Sequence, residues 1–127
     1  MNRPPDRLLL TEEAWKAFHR RDWDAADRLW AELRAHFPDA LIGYAAAITN
    51  LREAHRLKAA EALAEVMLVR FPNEASAHTE YAWLVQASGD LPRALALWGA
   101  IQNRFPREWS SHLGRAKAHE GAGGFDE

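Results

Sequence analysis

The chain contains no cysteine, which excludes disulfides, thiolate catalysis and zinc sites built on sulfur, and leaves the redox compartment undecided. It also lacks an excess of charge of either sign. Sixteen basic side chains face eighteen acidic ones, a formal net charge of −2, so there is no electrostatic footprint for nucleic acid or an anionic membrane. Apolar runs fall far short of the roughly 18–20 residues that span a bilayer, and Met1-Asn2-Arg3-Pro4-Pro5 leads into no secretory hydrophobic segment. These absences predict a cytoplasmic protein with neither nucleic acid nor membrane as partner. Catalytic signatures are missing too. There is no glycine-rich phosphate loop, no HExxH and no nucleophile elbow, and Ser76, Ser88, Ser110 and Ser111 occupy ordinary helical positions. Neither an enzymatic activity nor a cofactor is expected.

What is present is a period. The dipeptide Phe-Pro recurs at Phe37-Pro38, Phe71-Pro72 and Phe105-Pro106, each 34 residues from the last, and a fixed period of this length marks a stacked repeat array. The same spacing aligns Ala26, Ala60 and Ala94; Leu29, Leu63 and Leu97; Trp30, Ala64 and Trp98; Leu33, Met67 and Ile101; and Trp23, Leu57, Leu91 and Phe125. The composition is 48% hydrophobic, rich in Ala, Leu, Arg and Glu and poor in β-branched residues, which favours helices.

Each cycle reads as two amphipathic helices. The first helices are expected over 7–20, 41–54, 75–88 and 109–121, and the second over 23–36, 57–70 and 91–104. The Phe-Pro pairs end the second helices, because proline cannot donate to the helical ladder and restricts the residue before it. Asp39 and Asn73 follow the prolines as expected N-caps of the next helix, a role Arg107 cannot fill. The turn inside each cycle falls at Arg21, His55, Gly89 and Gly123, and only the glycines suit a left-handed helix end without strain. Asp22 and Asp90 can cap the following helices; Arg56 cannot, so cycle two is expected to have the less regular turn. In the second helices small residues alternate with large ones, as close helix packing requires, which places Trp23, Trp30 and Trp98 in the core. Where the large member is Ala64, Met67 or Tyr44 is expected to fill the space.

The pattern resembles the tetratricopeptide repeat, whose 34-residue unit carries small residues at positions 8 and 20, an aromatic near 24 and proline at 32. With Pro38, Pro72 and Pro106 at position 32, position 8 is Ala14, Ile48, Ala82 and Ala116, and position 7 departs from the usual leucine with Glu13, Ala47, Tyr81 and Arg115. The resemblance implies an all-α fold: a right-handed α-solenoid of antiparallel helix pairs, about seven helices, forming one array over 1–127. Its repeats would cover 7–40, 41–74 and 75–108, with a partial repeat at 109–127. Because Gly123-Gly124-Phe125 aligns with Gly89-Asp90-Leu91 at a helix start, the chain is expected to be a piece of a longer polypeptide.

The resemblance also implies a concave face lined by positions 2, 5, 9 and 12 of the first helices. Carried onto this chain it selects Thr11, Trp15, Thr49, Arg52, Thr79, Trp83, Gln86 and Lys117, with Ala45, Leu113, Phe18 and Glu120 in the same columns. Trp15 and Trp83 read either as aromatic anchors for a ligand or as packing residues of a tightly wound array. The Lys/Asn clamp with which some members hold a terminal carboxylate has no counterpart here, so the implied ligand is an apolar helix or extended peptide. His78 and His112 share position 4, close enough in register for their rings to approach, with His119 two turns on, but no further ligands complete a metal site. His19, His36 and His55 lie near helix ends. The function implied is a non-catalytic protein-interaction scaffold. The alternative is an amino-terminal accessory or oligomerisation module of a larger bacterial enzyme such as a glycosyl- or sulfotransferase, and self-association through the end at 109–127 is a further possibility.

Overall fold

The computed structural model describes residues 6–108 and 110–121. Among them the chain forms seven α-helices and no strand: α1 (Arg7–His19), α2 (Trp23–His36), α3 (Ile42–Glu53), α4 (Leu57–Arg70), α5 (Ala75–Ala87), α6 (Leu91–Arg104) and α7 (Ser110–Gly121). No bound departs from the periodic reading by more than one residue. The expected eighth helix start at Gly123 and Phe125 lies outside the described residues. The fold divides into two compact units, Met1–Met67 and Leu68–Glu127, with the boundary inside α4.

In the first unit, Asp6 accepts hydrogen bonds from the backbone N–H groups of Leu8 (2.9 Å) and Leu9 (3.2 Å), and Asp22 accepts one from Ala25 (3.2 Å). Both carboxylates thereby satisfy donors that a helix start leaves free. Between α1 and α2, the N–H of Asp22 bonds the carbonyl of Ala17 and that of Arg21 bonds Phe18, each at 2.9 Å. This is a Schellman motif, and Arg21 takes φ 62° to close it. The second turn is its copy. Arg56 bonds Leu51 (2.8 Å), His55 bonds Arg52 (3.0 Å) and His55 sits at φ 61°. The expectation of a less regular turn in cycle two is therefore corrected: the paired backbone hydrogen bonds close over a left-handed residue there even without glycine. Arg56, unable to cap, forms an ion pair with Asp24 at 2.8 Å.

The caps expected of Asp39 and Asn73 are also corrected. The N-cap residues of α3 and α5 are Leu41 and Glu74 instead, and neither makes a side-chain capping hydrogen bond. The carbonyl of the phenylalanine in each Phe-Pro pair accepts from the residue three positions on, as in Ala40 to Phe37 (3.0 Å), Glu74 to Phe71 (3.3 Å) and Glu108 to Phe105 (3.0 Å). Asp39 and Asn73 lie inside that turn, too early to reach the helix start, and Asn73 instead accepts from Arg104 at 2.6 Å.

Helix α1 packs on α2 and α2 on α3 around Ala14, Ala17, Ala26, Trp30, Leu33, Ala46 and Ala47. Alanines let the backbones approach while the Trp30 indole fills the gap, and burying a side chain of this size contributes up to roughly 4–6 kcal/mol. Trp23 is only half-buried, because it opens α2 at the rim of this core. Met67 and Tyr44 are both buried, as is Ala64. Gly43 of α3 meets Arg34 of α2: a Cβ on the glycine would lie 3.0 Å from the Arg34 side chain. Arg34 Nη1 donates to the Gly43 carbonyl at 3.0 Å. Burial pulls the Arg34 pKa below its ordinary value, with Asp27 and Tyr44 acting in the opposite sense.

In the second unit, α5 packs on α6 and α6 on α7 around Ala82, Val85, Ala94, Trp98, Ile101 and Ala118. Asp90 caps α6 by accepting from Arg93 (3.3 Å), and Gly89 closes the preceding turn at φ 92°. Helix α7 buries Ser111, Gly114 and Ala118, a stripe at helical spacing. Ala116, aligned with the buried Ala14, Ile48 and Ala82, is exposed. Among the described residues no helix follows α7 to cover that side.

Candidate functional site

The residues of the expected concave face fall into two groups, one in each unit. In the first, Trp15 projects from the middle of α1 and is half-buried. It meets the core Trp30 edge to face at 4.9 Å and 78°, and Phe18 at 5.3 Å and 87°. His19 stacks near it at 6.1 Å and 25°, and Phe18 continues the cluster to Trp23 at 5.6 Å. Thr11 donates its hydroxyl proton to the Arg7 carbonyl (2.7 Å), and Thr49 to that of Ala45 (3.1 Å). Both hydroxyls spend their donor on their own helix. Arg52 is half-buried in the last turn of α3.

The second group has the same plan with different chemistry. Trp83, half-buried on α5, meets the core Trp98 at 5.0 Å and 72°, almost the geometry of the Trp15–Trp30 pair. Thr79 donates to the Ser76 carbonyl at 3.0 Å. Gln86 is joined to Trp98, whose Nε1–H donates to its Oε1 at 2.8 Å. Lys117 is exposed on α7. Each indole has an inner edge fixed against a core indole and a remainder open to solvent. Trp98 connects Trp83 to Gln86, and Trp30 and Phe18 hold Trp15.

Alignment on the repeat carries the signal for the Gln86–Trp98 bond, which single-residue reasoning misses. Phe18 stands where the second unit has Gln86, and Trp30 where it has Trp98. With no acceptor at that column, the Nε1–H of Trp30 is buried and unpartnered, as is Oδ1 of Asn50, whose Nδ2 donates to the Trp23 carbonyl at 3.1 Å.

The expected approach of His78 to His112 is not found. Nε2 of His78 lies 2.7 Å from the Pro72 carbonyl oxygen, and His112 Nδ1 lies 3.1 Å from Gln102 Nε2, so each ring is engaged within its own surroundings. Among the described residues no cluster of three or more His, Asp or Glu is placed to hold a metal ion, and no helix is long and apolar enough to cross a membrane. A further feature of the second unit is a cavity of about 160 Å³ lined by His78, Tyr81, Leu97, Arg104 and Phe105 among others. Arg93 bonds the Tyr81 hydroxyl and lies over its ring. Arg104, over the Phe105 ring, reaches Asn73.

No family model and no curated protein matches the chain, whereas many solved structures do. It is similar to the first TPR of Spaghetti (RPAP3) bound to an HSP90 peptide, with a TM-score of 0.76 and 14% identity over 92% of this chain and 95% of that one. The TPR2B domain of yeast Sti1, in a complex with pHsp70, gives a TM-score of 0.76 and 19% identity over 92% and 95%. The Sgt2 TPR domain of Aspergillus fumigatus gives 0.77 and 16% over 97% and 85%. The chain has the fold of a tetratricopeptide-repeat domain, an all-α solenoid.

Proposed function

We infer that the chain is a non-catalytic interaction module holding an apolar helix or extended peptide of a protein partner. In this reading 1–127 forms one array, with repeats over 7–40, 41–74 and 75–108 and a partial repeat at 109–127. The first unit contributes Trp15 with Thr11, Thr49 and Arg52, and the second Trp83 with Thr79, Gln86 and Lys117. The observation that carries the reading is the paired setting of Trp15 and Trp83, each braced by a core indole and half open. A rigid aromatic surface of this kind gives large contact area at small entropic cost, as binding hot spots do. Thr11 and Thr79 offer acceptors to a peptide's N–H groups, and Arg52 and Lys117 supply cations for polar groups at its edge. Gln86 acts through Trp98, fixing the ring that supports Trp83. Peptide complexes among the similar folds support a peptide-class ligand.

Selection from a displayed library of random peptides and amphipathic helices tests this. Enriched sequences should carry apolar or aromatic anchors, and Trp15→Ala and Trp83→Ala should each weaken the best binder by about 2 kcal/mol or more, the size of a hot-spot truncation. Absence of enrichment over a scrambled pool, or binding that survives both substitutions, overturns the reading.

A further inference from the structure

The outer helix of the middle cycle differs from its two column-mates. Along α4, Ala59, Ala62, Val66 and Val69 are all exposed, with 52% of Val66 and 83% of Val69 open to solvent. Their spacing of three, four and three residues places them on one stripe of the helix. The equivalent positions are Ala25, Arg28, Glu32 and Ala35 in α2, and Arg93, Ala96, Ala100 and Asn103 in α6. Only in α4 are all four apolar, and exposed β-branched side chains in a row are unusual on a helix surface where packing does not decide the residue.

The order of residues in the stripe is informative. Two small side chains lie toward the start of α4 and two larger ones toward its end. A two-fold axis across the helix between Ala62 and Val66 brings a second α4 alongside in the antiparallel sense, and sets Ala59 against the partner's Val69 and Ala62 against the partner's Val66. Every small residue then meets a large one, the condition for interdigitated helix packing, and the match is reciprocal as an isologous contact requires. Lys58 and Glu65 flank the stripe on one side and Arg70 on the other. The same rotation brings Lys58 and Glu65 of both copies to one edge in the order base, acid, acid, base, so the two Glu65 carboxylates lie next to each other and oppose the contact, and it keeps Arg70 away from the partner's Lys58.

The geometry points to a homodimer formed by antiparallel packing of α4 against α4 of a second copy, through a surface independent of the groove residues. One helix pair of 14 residues per copy buries an area at or below the lower end of about 1,200 Å² for specific complexes, so the association is weak and reversible.

Sedimentation equilibrium between about 10 μM and about 1 mM, the range in which so small an interface assembles, tests the proposal. The weight-average mass should rise from one chain toward two. The double substitution Val66→Glu with Val69→Lys should hold it at one chain throughout with unchanged circular dichroism, and Arg28→Ala at the equivalent site on α2 should leave the rise intact. Because the chain has no cysteine, mixed Ala62→Cys and Val66→Cys proteins should oxidise to the mixed disulfide in preference to either homodimer, since only that pair is directly opposed. A single-chain mass at every concentration, a dimer that survives the double substitution, or no preference for the mixed disulfide overturns it.

Discussion

The indole N–H of Trp98 donates to Oε1 of Gln86 at 2.8 Å, joining α6 to the last turns of α5 and fixing the ring against which Trp83 packs. Gln86→Leu removes the acceptor while keeping much of the side-chain volume. A buried donor left unpaired costs about 1–3 kcal/mol, so the urea midpoint should fall accordingly with the slope unchanged. The reverse exchange in the first unit, Phe18→Gln, offers Trp30 an acceptor but gives up ring-edge contacts with Trp15 and Trp23. These are opposed effects of about 1 kcal/mol each, and the variant should unfold within about 1 kcal/mol of the parent.

Two glycines should respond in opposite directions to the same substitution. A Cβ on Gly114 would lie 2.3 Å from carbons of the Trp98 ring, whereas nothing lies within 4 Å of one on Gly99. Gly114→Ala should destabilise by about 1–3 kcal/mol through overpacking. Gly99→Ala, in the interior of α6, should stabilise by roughly 0.5–1 kcal/mol. Thermal unfolding of the two variants beside the parent checks both signs.

Arg21 and His55 occupy left-handed backbone at φ 62° and 61°, where a side chain carries a steric cost. Arg21→Gly and His55→Gly should each stabilise the protein by about 0.5–1 kcal/mol, the relief of that strain less the added freedom of glycine when unfolded. Losses in chemical denaturation would show that these side chains contribute contacts worth more than the strain.

Trp98 is wholly buried while Trp83 is half-buried, and their alanine variants should separate stability from binding. Trp98→Ala should cost about 3–5 kcal/mol, the range for removing a core aromatic. Trp83→Ala should cost less than half of that and show its main effect in peptide affinity. Equal losses of stability would make Trp83 a packing residue alone.

The helices and their ends were legible in the sequence because the information is local and repeated. Phe-Pro stops a helix wherever it occurs, and the carboxylates of Asp22 and Asp90 act within three residues of themselves. Chemistry at the turns is less legible, since Arg21 and His55 adopt a left-handed conformation that their own preferences oppose and that appears only with the paired backbone hydrogen bonds of the turn. The role of Asn73 is illegible for a related reason: its partner, Arg104, is remote in sequence. For the candidate site, the register singled out Trp15 and Trp83, but the bracing of each by a core indole depends on side-chain directions that no column encodes. The Gln86–Trp98 bond stands between these cases. Its two columns are visible in the alignment, and their coupling appears only when α5 and α6 are packed.

The turn between α1 and α2 and that between α3 and α4 close through the same pair of backbone hydrogen bonds although their residues differ in kind. What such a turn transmits is therefore angular phase. One residue inserted between Arg20 and Trp23 would rotate α2 by about 100° and advance it by about 1.5 Å, carrying Trp30 off the α1 interface and setting Glu32 where Leu33 packs. Substitutions at Arg21 or His55 leave that phase untouched. A substitution at these two positions changes only the local cost of left-handed backbone, while any change in loop length is felt at once by the core.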